Sequence, residues 1–220
     1  MAVTLAEEIM LLSLDDESGT AKGRLMLAWP LGGALVLELS FAGRVAVADG
    51  LLQVVDTAPL GDELLDGRLA ALAAWAEGRR KAKVGDWLMK DQRTSVRAVE
   101  ESLCRRGLVT EENHRLLGVF PSRRYPEVDG SVEQEVRERL AAAVLRGEEA
   151  DERTAALVAV LHAAGLHRAA FPGVPRKQVE PRMKELAEGQ WVAESIRAAI
   201  TAVYAAVTAG AVAAGVAASF

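Results

Sequence analysis

Along most of the chain, apolar positions recur at three- and four-residue steps, the pattern of helices that bury one face. Met1 to Leu14 is apolar except for Thr4, Glu7, Glu8 and Ser13, and Thr4 with Glu7 forms a capping box predicting a helix through about Leu11. A second apolar helix is expected over Leu31 to Phe41, its start marked by Pro30 and Gly32-Gly33. Arg44 to Ala48 and Leu51 to Asp56 flank Asp49-Gly50, a two-residue hairpin turn. Leu64, Leu65, Leu69, Leu72 and Ala76 trace one helix face ending near Gly78, and Ser95 to Arg106 reads as a helix stopped by Gly107. Leu108 to Val119 holds two short apolar runs suited to a hairpin, with Phe120-Pro121 near its tip. Val136, Leu140 and Val144 mark an amphipathic helix over Val132 to Arg146. Thr154 to Ala170 is expected to be another, followed by a proline-marked loop through Pro172, Pro175 and Pro181. The fold class is therefore mainly α: a single compact helical domain over residues 1–220 with one or two small β-hairpins.

Neither end reads as a targeting or anchoring segment. The N-terminal run carries acidic residues and no basic flank, opposite to a secretory signal, so cytoplasmic residence is the expectation. Ala198 to Phe220 has 23 uncharged residues, about 35 Å as a helix and long enough to span a bilayer. Eleven of them are alanine, and Ile200, Val203, Tyr204 and Val207 form one stripe of bulk, which suits a helix buried among others.

Composition supports the helical reading: forty alanines against three isoleucines favour helices over β-branched strands. The net charge of −5 conceals an uneven distribution. Residues 1–76 balance at −7 and residues 127–220 at −3, whereas residues 77–126 carry 12 basic against 7 acidic side chains. Such a basic middle on an acidic protein points to an anionic partner. Next to a lipid leaflet each cation contributes roughly 1 kcal/mol, and an inserted Phe120 would add roughly 1.5–3 kcal/mol. Together these suit a reversible peripheral anchor.

Catalytic chemistry is not apparent. The chain has no Gly-rich phosphate loop, Walker motif or nucleophile elbow. His162 and His167 are five residues apart, which disfavours a shared metal, and His114 has no evident acid partner. Lone Cys104 excludes an internal disulfide framework and reads as a buried, inert thiol. The acidic runs at Asp15-Asp16-Glu17 and Glu148 to Glu152 lack calcium-loop spacing. A non-enzyme with no metal or cofactor is expected.

Several blocks then suggest a family. Leu5-Ala6-Glu7-Glu8-Ile9-Met10-Leu11-Leu12-Ser13-Leu14, Leu35 to Leu39 leading to Gly43-Arg44-Val45, and Gly61-Asp62-Glu63-Leu64-Leu65-Asp66 resemble the Golgi phosphoprotein 3 family. So do Leu103 to Val109 with Thr110-Glu111-Glu112, and Arg153 through Phe171, all in family order and covering nearly the whole chain. The Ala-, Gly- and Arg-rich composition is similar to that of a prokaryotic member. The resemblance implies a mostly α-helical domain that binds phosphatidylinositol 4-phosphate peripherally on membranes, as an adaptor for cytoplasmic tails of membrane proteins. It also implies a headgroup pocket of a tryptophan, an arginine before the second helix and two arginines three apart on a later helix. A hydrophobic hairpin would assist insertion and self-association.

Residue by residue the match is partial. Gly32 stands at the first arginine position, and the tryptophan position falls near Gly23 or Arg24, with Trp29 close in sequence. The later pair falls at Arg93 and Val96, with Arg97 one step on. The expected headgroup ligands are thus Arg93, Arg97, Arg24 and Trp29, and the expected membrane-contacting hairpin residues are Leu117, Phe120, Arg123, Arg124 and Tyr125. Expected partners are anionic phospholipid or phosphoinositide and membrane-protein tails, with a homo-oligomer through the hairpin and no nucleic acid. The alternative is a winged-helix-like nucleic-acid binder, with Ser95 to Gly107 as recognition helix and Leu108 to Tyr125 as wing.

Overall fold

Thr4 opens the first helix as its sequence predicts. The Glu7 N–H donates to the Thr4 hydroxyl at 3.2 Å and the Thr4 N–H donates to the Glu7 carboxylate at 2.8 Å. This reciprocal cap starts α1 (Leu5–Ser13). The computed structural model describes residues 3–14, 24–116, 120–188 and 194–217. The acidic run at Asp15 lies outside them.

Helix α2 (Arg24–Phe41) occupies the centre, packed by α1 and by four helices that follow later in the chain. It begins seven residues before the expected start, so Pro30 lies inside it. A proline removes one backbone donor; buried Leu27 and Leu31 hold the turns on either side of it. The hairpin of β1 (Val45–Ala48) and β2 (Leu51–Val54) turns on Asp49 and Gly50, both with positive φ (51° and 71°). Val45 pairs with Val54 and Ala48 with Leu51. Helix α3 (Glu63–Ala76), capped by Asp62, buries the expected Leu64, Leu65, Leu69 and Leu72.

The longest correction concerns α4 (Val84–Arg105), expected only from Ser95. Its first turns bury Val84, Trp87, Leu88 and Asp91, so the helical period continues through a charged stretch with a carboxylate in one inward slot. The second hairpin pairs β3 (Glu112–Leu116) with β4 (Phe120–Arg124), Leu116 opposite Phe120. Helix α5 (Ser131–Val144) is amphipathic, burying Val136, Leu140 and Val144.

The expected Thr154 to Ala170 helix is two: α6 (Glu152–Ala163) and the short α7 (His167–Ala170). Gly165 between them has φ 67°, a left-handed conformation that ends an α-helix. The expected proline loop is instead largely helical. Helix α8 (Arg176–Glu188) includes Pro181 and buries Val179, Met183 and Leu186 against α6. Pro175 stands just before its first turn, where a missing N–H costs little.

Helix α9 (Glu194–Ala217) runs antiparallel to α2, as shown by Gly33 facing Val203 while Trp29 faces Gly210. A side chain added at Gly33 would come within 2.6 Å of Val203 Cγ1, and one at Gly210 would overlap the Trp29 ring. Glycine is what lets these two helices approach so closely. Ile200, Val203 and Val207 are buried as the bulk stripe predicts, but Tyr204 of the same stripe is only half-buried, and Thr201, Ala205, Ala209 and Val212 face outward.

Candidate functional site

Beside scattered exposed ion pairs such as Arg176–Glu180, two groups of charged side chains stand out. The first is a buried network under α1. Glu7 is fully buried, and its carboxylate accepts from Ser102 Oγ (2.7 Å) and pairs with Arg106 Nε (3.0 Å). Arg106 also reaches Asp62, at 2.6 Å. Glu8, equally enclosed, pairs with Arg139 (2.7 Å) and Arg153 (3.4 Å), and Arg153 reaches Glu38 at 2.6 Å. The Leu5 N–H donates to Glu38 as well. Burial raises the Glu8 carboxyl above its ordinary pKa against the pull of both arginines. This network ties α1 to α2, α4, α5 and α6 by charge, and at its Asp62–Arg106 end it borders an open cleft of about 330 Å³ that Ser102 and Arg105 also line. It was not anticipated from the sequence; the signal was the pair of carboxylates inside an apolar run.

The second group is exposed and unpaired. Arg79, Arg80, Lys81, Lys83, Lys90 and Arg93 form no ion pair among the described residues. Arg79 alone has another partner: its guanidinium lies 4.6 Å over the Trp75 ring, and its Nε donates to the Trp75 carbonyl at 2.6 Å. Lys83, Lys90, Arg93 and Arg97 fall on one face of α4, because steps of seven, three and four residues nearly complete whole helical turns. The stripe runs about 21 Å. Met89, 59% exposed, stands beside it. Exposed cations of this kind, with Lys83, Lys90 and Arg93 in no ion pair among the described residues, attract an extended anionic surface.

Of the expected headgroup ligands, Arg93 is exposed on this stripe. Arg97 is also exposed but is engaged by Glu101 at 2.6 Å. Trp29 is half-buried, its ring seated on Gly210 of α9, so packing claims much of it. Arg24 is the first residue of α2, and its side chain lies outside the described residues. Gly32 is buried at the α2–α4 crossing, where an added Cβ would stand 3.0 Å from Leu88, so an arginine there would not fit this packing. Val96 is likewise buried, 7% exposed.

The hairpin set is also divided. Leu117 lies outside the described residues, as do the side chains of Phe120 and Arg123, whose backbone forms β4. Arg124 is half-buried. Tyr125 is a correction: it is 5% exposed, with its hydroxyl donating to Glu100 at 3.3 Å, and so belongs to the core rather than to a membrane contact. The nucleic-acid alternative meets a similar obstacle. Ser95, Val96, Val99, Glu100, Ser102 and Leu103 face inward, and much of what α4 exposes beyond Thr94 is the mutually paired Arg97 and Glu101.

The remaining candidates are quiet. Cys104 is half-buried rather than enclosed, and burial with nearby glutamates raises its thiol pKa, away from reactivity. His162 lies 3.1 Å from the Tyr204 hydroxyl, and burial lowers its pKa. Among the described residues no cluster of three or more metal-ligating side chains forms.

The family model for Golgi phosphoprotein 3 (GPP34) matches residues 5–203. The chain belongs to the Golgi phosphoprotein 3 family. No curated protein matches it. The match runs from the capped α1 into the middle of α9, so the buried charge network, both hairpins and the basic stripe of α4 all lie within the Golgi phosphoprotein 3 region.

Proposed function

We propose that this protein is a peripheral membrane-associated binding protein that recognises anionic phospholipid headgroups, phosphatidylinositol 4-phosphate foremost, with no catalytic activity of its own. It would work at the cytoplasmic face of a membrane, as an adaptor for the tails of membrane proteins. The observation that carries this reading is the basic stripe of α4, with Arg93 and Lys90 exposed and in no ion pair among the described residues. Family membership supports the same direction, and by resemblance Arg93 stands at one of the family's headgroup arginine positions. A guanidinium already in a salt bridge must give up that partner to bind phosphate, whereas a free one need not. Each such cation near an anionic leaflet contributes about 1 kcal/mol, so the stripe supports a reversible attachment that weakens as salt rises.

Co-sedimentation with liposomes tests this. Vesicles of neutral phosphatidylcholine, of the same lipid with phosphatidylserine, and of the same lipid with phosphatidylinositol 4-phosphate at matched charge should bind in rising order. Arg93→Ala/Arg97→Ala should lose most of the anionic-vesicle binding. Equal sedimentation with all three vesicles at moderate salt would remove the proposal.

A further inference from the structure

An open trough of about 850 Å³ runs between the outward face of the first hairpin and the end of α3. Its floor is small and mostly apolar: Ala46 and Ala48 on β1, Gln53 on β2 and Ala74 on α3, all exposed. Arg79 and Arg80 stand on its rim, Arg79 fixed over Trp75 and Arg80 without a partner among the described residues. Lys81 and Lys83 follow immediately in the chain, also unpaired. Asp49 and Glu77 share the rim.

We infer that this trough docks a short extended peptide segment of a partner protein, one carrying one or two acidic side chains among small apolar residues. Four features favour that occupant. The strands are four residues long, so the trough matches about four extended residues, or roughly 13 Å. A floor of alanines leaves depth for the alternate side chains of such a segment, while the others point to solvent. The trough is open along its side, so an acyl chain laid in it would remain largely wet, whereas a peptide is served by exposure on one face. The mixed rim, finally, suits a local acid set against Arg80 better than a uniformly anionic bilayer. The site is separate from the α4 stripe, and its occupant does not depend on lipid recognition.

The test is fluorescence anisotropy with a fluorescein-labelled Ala-Val-Asp-Val-Glu-Ala peptide, alongside its Asn/Gln counterpart, on the intact chain. The acidic peptide should bind and its uncharged counterpart should not. Affinity should fall about tenfold in Arg80→Ala/Lys81→Ala, and similarly in Ala48→Phe, which fills the floor from an exposed position. Circular dichroism checks that both variants fold. Ala48→Phe should still sediment with anionic vesicles, which separates this site from the lipid proposal. No binding of the acidic peptide, equal binding of the uncharged one, or undiminished binding by Ala48→Phe would each overturn the inference.

Discussion

Glu7 and Glu8 are adjacent in sequence, yet as helix neighbours they point in different directions and meet different arginines. Buried carboxylates hold their charge only when their partners stay, because losing one partner strands the other in a poorly solvating interior. Arg153 spans Glu8 and Glu38 and also donates to the Val3 carbonyl. Arg153→Met should therefore cost about 3 kcal/mol or more in urea unfolding. Arg176→Met, which breaks an exposed pair within α8, should leave the urea midpoint nearly unchanged. Equal losses would show that burial of the network is not what matters.

Asp91 provides a pH signature at the same scale. It is buried opposite Arg68, at 2.8 Å, and burial outweighs the arginine to push its pKa up to about 6. The folded state then holds this proton more tightly than the unfolded chain does. The contribution of Asp91 to stability is full at acid pH, below its ordinary value, and is lost as pH rises through about 6. Asp91→Asn removes the titration. Relative to wild type, the variant should gain by more than about 1 kcal/mol between mildly acid and neutral pH. A difference that stays constant with pH would contradict the assignment.

Among the elements, α2 and α9 show how glycine can act in opposite ways within helices. Gly33 and Gly210 stand where two helices touch, but Gly67 sits on the exposed side of α3 with nothing within 4 Å of where its Cβ would be. Gly210→Ala should thus destabilise by about 1–3 kcal/mol, since the Trp29 ring must move. Gly67→Ala should stabilise by about 0.5–1 kcal/mol through the unfolded chain. Thermal melts of the two variants shifting in the same direction would refute this packing.

Element by element, what the sequence reveals follows from how local each signal is. The cap at Thr4, the turn at Asp49-Gly50 and the bulk stripe of α9 rest on neighbouring residues and are read directly. The starts of α2 and α4 and the whole of α8 were concealed because Pro30, Asp91 and Pro181 break the local rule where tertiary packing maintains the helix. Site residues were less legible. Arg93 is named through the family resemblance alone, since it precedes the helix expected from Ser95; the claims on Trp29 and Tyr125 were not legible, because they come from Gly210 and Glu100, distant in sequence.

At the scale of the whole molecule, the modest net charge separates into a paired interior, scattered surface pairs and one run of unpaired surface cations. The arginines of α5 and α6 are tied to carboxylates, while six cations between Arg79 and Arg93 are not. Vesicle attachment should accordingly fall steeply with ionic strength, the stripe being exposed and screened over about 10 Å. The central claim is that free cations, rather than cations in general, make the contact. Arg93 and Arg97 share one helix face, but only Arg97 is held, by Glu101. The direct measurement is the partition coefficient onto phosphatidylinositol 4-phosphate vesicles for Arg93→Ala and Arg97→Ala, each alone. Arg93→Ala should weaken binding about fivefold and Arg97→Ala distinctly less. Wild-type binding by Arg93→Ala, or a greater loss in Arg97→Ala, would contradict the account.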